Sequence, residues 1–182
     1  MSPRRLRILS LTNAFPPGVI GRFPSVNPAG HATETRMTDA LARRNDLRSV
    51  TLLGGEVYGA LEPRDDSFGV ESELILWDRA PELWHRWRSW RQLRRYYLDF
   101  VARSGAPDVV LVRNLTPVFN RFVRWLRAQS PRPKVVLVFA DSASLGKRFS
   151  AWRRFRYSLK PMYVSDDEAI GWYDGCISFG LG

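Results

Sequence analysis

The chain alternates short apolar runs with longer segments of helical spacing. Arg7-Ile8-Leu9-Ser10-Leu11-Thr12 is the first run, and Pro16-Pro17-Gly18 breaks the chain after it, which predicts a buried strand. A loop follows from Asn13 to about Asn27 and holds Pro16, Pro17, Gly18, Gly21 and Pro24. Asn27 as cap and Pro28 in the first turn predict a helix to about Arg44, with Met37, Ala40 and Leu41 toward the core. Ser49–Leu53 is the second strand, closed by Gly54-Gly55, and 56–70 is polar and turn-rich. Glu73–Trp77 is the third strand. Pro81 opens a long helix to about Arg103, whose apolar positions 83, 87, 90, 97 and 101 keep helical spacing.

The second half repeats the alternation. Val109–Val112 has no polar interruption, as expected of a strand covered on both faces. Pro117 begins a helix with Phe119, Phe122, Val123 and Leu126 on one side, and Val135–Phe139 is another covered strand. A basic aromatic segment at 147–160 reads as helical and stops at Pro161. Ser165 and Glu168 have capping-box spacing before a short helix ending near Tyr173. Cys176–Phe179 is a last strand, with Cys176 expected in the core. Strands interleaved with helices predict the α/β class: a Rossmann-like, doubly wound, mainly parallel sheet of about six strands with helices on both faces. In such a sheet ligands bind beyond the carboxyl ends of the strands, so the loops at 13–27, 54–70, 113–117 and 140–148 matter most.

Composition narrows the function classes. The chain has 182 residues, 45% of them apolar, which fits one folded domain. Its formal net charge is +10, and Lys134, Lys147 and Lys160 are its only lysines, so the basic surface is arginine. Such a surface attracts polyanions. A single cysteine excludes an internal disulfide, and His31 and His85 form no zinc constellation. No cofactor is expected: the loop after the first strand is not the GxGxxG dinucleotide fingerprint. No apolar stretch approaches the ~20 residues of a membrane span. The expected compartment is the cytoplasm, with peripheral contact at the inner face of the membrane left open.

Three groups of residues carry candidate chemistry. Gly18, Gly21 and Gly30, with the helix start beside them, either let backbone N–H groups approach an anion or serve only as turns. Asp141 and Ser142 follow the fifth strand, where a carboxylate accepts a proton, binds hydroxyls or caps a turn. Arg113 and Asn114 end the fourth strand and are placed for phosphate or sugar hydroxyls, or for a surface turn. His31 is a base, an oxyanion partner or a packing residue. The third group is aromatic and basic: Arg86, Trp87, Arg88 and Arg91 in one segment, Arg148, Trp152, Arg153 and Arg154 in another. Tryptophan with arginine is the chemistry of an anionic bilayer interface. The alternative is a helix packed on the sheet through its aromatic face, with Arg88, Arg91 and Arg95 as a solvated flank. No zinc, RNA-recognition or helix-turn-helix signature is present, so charge alone supports a nucleic-acid partner. The alternative function these residues leave open is a non-catalytic Rossmann-like binding module that uses the basic aromatic surface on anionic membrane or nucleic acid.

The order of these pieces resembles a family. Arg7–Thr12, Phe15-Pro16-Pro17 and Ala29-Gly30-His31, then Pro107-Asp108-Val109-Val110, Phe139-Ala140-Asp141-Ser142 and Tyr173–Ser178, are similar to the amino-terminal domain of retaining glycosyltransferases of the GT-B fold, family 4 (group 1). The resemblance runs along nearly the whole chain and rests on order and spacing. It implies that 1–182 is a single Rossmann-like domain binding a lipid-linked or polysaccharide acceptor. A second, carboxy-terminal domain, absent from this chain, would hold the nucleotide-sugar donor, so the chain alone is expected to be inactive. It further implies that the 18–31 loop approaches the donor diphosphate. Asn13, Arg113, Asn114 and Ser142 would then line the acceptor side, with Asp141 and His31 as the catalytic candidates. The chain departs from the family where histidines are often found beyond the fourth or fifth strand: Arg113, Asn114, Ala140 and Asp141 stand there instead.

Overall fold

The computed structural model describes residues 4–14, 28–53, 72–76, 82–139 and 166–178. The described elements are β1 (Arg7–Thr12), α1 (Pro28–Ala42), β2 (Asp46–Leu53), β3 (Ser72–Leu76), α2 (Glu82–Ser104), β4 (Val109–Arg113), α3 (Pro117–Leu126), β5 (Lys134–Phe139), α4 (Asp166–Ile170) and β6 (Gly175–Ser178). The strands form one six-stranded sheet in the order β3-β2-β1-β4-β5-β6. Every neighbouring pair is parallel. This is the Rossmann order.

Strand alternation divides the sheet into two faces. Leu9, Leu11, Val50, Leu52, Val110, Val112 and Val135 point to one face, where α2 and α3 cover them through Leu93, Tyr97, Phe119 and Phe122. Ile8, Leu47, Leu111 and Val138 point to the other, where Met37, Leu41 and Ala42 of α1 pack against them. The β1–β2 connection thus runs on one face and the β4–β5 connection on the other. A chain that winds outward in both directions from the centre with one crossover hand requires this.

Local chemistry fixes the register at the amino ends of the strands. Asp108, just before β4, donates its N–H to Arg7 O at 2.9 Å and accepts Arg7 N–H on its carboxylate at 2.8 Å. Asp174, just before β6, does the same with Val135, at 2.7 and 2.9 Å. Each aspartate therefore pins the start of the neighbouring strand, at the first residue of β1 and the second of β5. Asp108 also pairs with Arg4 at 3.0 Å, and Asp174 pairs with Arg132. Thr116 caps α3 by accepting Phe119 N–H at 3.2 Å, with Pro117 in the first turn. α2 ends at Gly105, whose φ of 77° is the left-handed turn that glycine allows after a helix.

Three expectations about burial are corrected. Ala40 is exposed, and the buried side chains of α1 among the described ones are Glu34 and Thr38. Along α2 the buried stripe is Ser89, Leu93, Tyr97 and Phe100, while Trp87 turns outward. Cys176 is exposed, because β6 is the edge strand and lacks a neighbour on its outer side among the described residues.

Candidate functional site

β1 and β4 lie side by side at the centre of the sheet, Leu11 opposite Val112. The helices that follow them, α1 and α3, lie on opposite faces of the sheet, and residues 15–27, between β1 and α1, lie outside the described residues. The strand pair is therefore a topological switch point, where an open α/β sheet has its ligand crevice. Asn13 and Asn114 occupy its rim. Asn114 Nδ2 donates to Asn13 Oδ1 at 3.2 Å, across the gap between the two strand ends.

The backbone holds both residues in place. Thr12 is buried, and its hydroxyl accepts Ala14 N–H at 3.0 Å, turning the chain sharply out of β1. Asn114 has φ 65°, a left-handed conformation that asparagine tolerates better than most residues. Its N–H donates to Val138 O at 3.2 Å, so the turn is tied to β5. Asn13 is exposed and Asn114 half-buried, which leaves amide donors and acceptors turned to the crevice rim.

Arg113 lies beneath this pair, on the α1 face of the sheet. It is 3% exposed. Its guanidinium forms an ion pair with Glu34 and donates to Thr38 Oγ1 at 3.2 Å. Burial pulls the Arg113 pKa below its ordinary value, and the Glu34 carboxylate pushes it back up. Arg113 Nε has no hydrogen-bond partner among the described residues. Arg113 therefore ties the end of β4 to α1 as a floor for the crevice. Sequence reasoning placed it on the acceptor side and missed Glu34 and Thr38 altogether.

The remaining candidates are distributed as follows. Gly30 and His31 lie in the first turn of α1, four and three residues ahead of Glu34. Gly18, Gly21, Asp141 and Ser142 lie outside the described residues, as do Arg148, Trp152, Arg153 and Arg154. No cluster of His, Cys, Asp or Glu that could hold a metal ion occurs among the described residues.

The basic aromatic residues of α2 fall on two sides of the helix. Trp90 and Tyr97 face the α3 side, where Tyr97 meets Phe122 and Trp125 edge-on at 5.5 and 5.7 Å between centroids. Arg121 lies 4.4 Å from the Trp90 ring centroid. Trp84 and Trp87 point away from the sheet, 66% and 40% exposed, and meet edge-on at 6.0 Å. Arg91 stacks over Trp87 at 4.4 Å. Arg86 is half-buried, whereas Arg88 and Arg91 are exposed. No described helix is long and apolar enough to cross a membrane.

Neither the protein-family models nor the curated proteins searched give a match to this chain.

Proposed function

We propose that this chain is the acceptor-binding domain of a glycosyltransferase, acting on a hydroxyl-rich lipid-linked or saccharide acceptor. The observation that carries this reading is the Asn13–Asn114 amide pair on the rim of the switch-point crevice. Side-chain amides offer both donors and acceptors, which suits sugar hydroxyls, each of which is also both. The composition of the β1 turn supports the choice over a dinucleotide. The chain leaves β1 as Asn13-Ala14-Phe15-Pro16, without the glycines that let backbone N–H groups reach a pyrophosphate. The same reading assigns the nucleotide-sugar to a second domain, since sugar transfer needs donor and acceptor held face to face.

Isothermal titration with neutral oligosaccharides and with a polyprenyl-phosphate-linked sugar in micelles tests the proposal. The Asn13→Ala/Asn114→Gly variant removes both amides, and glycine keeps the left-handed turn at 114. The expected outcome is saturable binding by the unaltered chain, weakened at least about fivefold in the variant, as for two lost hydrogen bonds of about 0.5–1.5 kcal/mol each. Tight binding of a nucleotide-sugar in place of the saccharides, or equal binding by the variant, would contradict it.

A further inference from the structure

The outward stripe of α2 is unexplained by the fold. The inner side of this 23-residue helix already buries Ser89, Leu93, Tyr97 and Phe100. Trp84, Trp87 and Leu98 are nevertheless large apolar side chains left 66%, 40% and 45% exposed. They follow one another at helical spacing, and Arg88, Arg91 and Arg95 lie between them, all exposed. Among the described residues lining the hollow they form, all of them on α2, Asp99 is the one acidic residue. We infer that this stripe docks the protein on an anionic lipid bilayer, with α2 lying along the surface.

The chemistry of the stripe selects that occupant. Its exposed apolar side chains include the aliphatic Leu98 beside the two tryptophans, and an aliphatic side chain suits acyl chains but offers no ring for a nucleic-acid base to stack on. Tryptophan rings seat at the headgroup level, Leu98 reaches the acyl boundary, and guanidinium groups meet lipid phosphate. The 14 positions from Trp84 to Leu98 span about 21 Å at the standard helical rise, enough for several headgroups. α2 follows β3 and leads into β4 of a parallel sheet, so it runs against the strands. Its tryptophan end therefore lies at the same end of the sheet as Asn13 and Asn114. Docking there puts the crevice at the lipid surface. The docking itself does not depend on the transferase reading.

Vesicle co-sedimentation tests it. The full chain is mixed with phosphatidylcholine vesicles, with vesicles that also contain phosphatidylglycerol, and separately with a single-stranded oligonucleotide. The expected result is binding to the anionic vesicles, weakened by salt and absent on the neutral ones. Arg91→Gln/Arg95→Gln should weaken it about thirtyfold, at about 1 kcal/mol per arginine. Trp84→Ser/Trp87→Ser should weaken vesicle binding and reduce the quenching of tryptophan fluorescence by brominated lipid. Circular dichroism confirms that each variant is folded, and both altered pairs are exposed. Failure of the unaltered chain to bind anionic vesicles overturns the inference. So does vesicle binding that survives both changes, and so does loss confined to the oligonucleotide, which would mark a nucleic-acid surface. Vesicle binding without saccharide binding would leave this inference standing and overturn the proposed function alone.

Discussion

Removing the Glu34 carboxylate leaves the Arg113 guanidinium charged in a site where it is 3% exposed. Thr38 Oγ1, at 3.2 Å, would be its remaining side-chain partner among the described residues. Breaking one side of a buried ion pair costs about 3–5 kcal/mol, because an uncompensated charge stays behind. Arg113 Nε already lacks an acceptor among the described residues, so no spare partner takes up the loss. Glu34→Ala is therefore expected to cost about 4 kcal/mol. For a domain of this size that lowers the melting temperature by roughly 8–16 °C. Glu34→Leu/Arg113→Met removes both charges and should recover most of the loss. Thr38→Val, which removes one neutral hydrogen bond, should cost about 1 kcal/mol. Urea unfolding followed by circular dichroism and by tryptophan fluorescence measures all of these and checks that the two probes coincide. The reasoning is refuted if Glu34→Ala stays within about 1 kcal/mol of the unaltered chain, below the range for a broken buried pair. It is also refuted if the double variant is no more stable than Glu34→Ala.

Two further predictions concern the frame. Asp108→Ala and Asp174→Ala each remove a carboxylate that accepts a strand N–H and an arginine. Each should cost about 1.5–3 kcal/mol in the same urea assay, with effects that add because the two sites pin different strands. Burial pushes the Tyr97 phenol up to about 12 and raises Tyr173 as well. A phenol raised by folding stabilises fully below the ordinary value of 10, and that contribution is lost as pH rises toward 12. Stability should fall across that alkaline window, and Tyr97→Phe should flatten the fall; a fall of unchanged steepness would contradict the assignment.

The fold was legible in the sequence where burial is two-sided. Val109–Val112 and Val135–Phe139 have no polar alternation, and both are interior strands of the sheet. Pro117 and the Phe119, Phe122, Val123 and Leu126 spacing located α3 and its buried face correctly. β2 begins three residues earlier than its apolar core, at Asp46, because pairing with Arg7 extends it past the hydrophobic run. Where the cause is non-local, the sequence is silent. Glu34 reads as a solvent-facing residue of a helix, and only Arg113, far along the chain, makes its burial possible. Trp87 fits a buried helical stripe by spacing alone. Its exposure follows from the placement of α3, which takes Trp90 and Tyr97. Asn114 is legible as the end of the fourth strand, and Asn13 as the start of the loop after the first. Their juxtaposition required the strand order, which periodicity does not encode.

The most direct measurement is an NMR titration of the 15N-labelled chain with the saccharide that binds best, following the side-chain amide resonances. Saturable shifts and contacts from sugar protons are expected at Asn13 and Asn114, with the Gln129 amide, three residues past the end of α3, unchanged. Saturable binding that maps away from these two amides, leaving them unmoved, would contradict the proposed acceptor site.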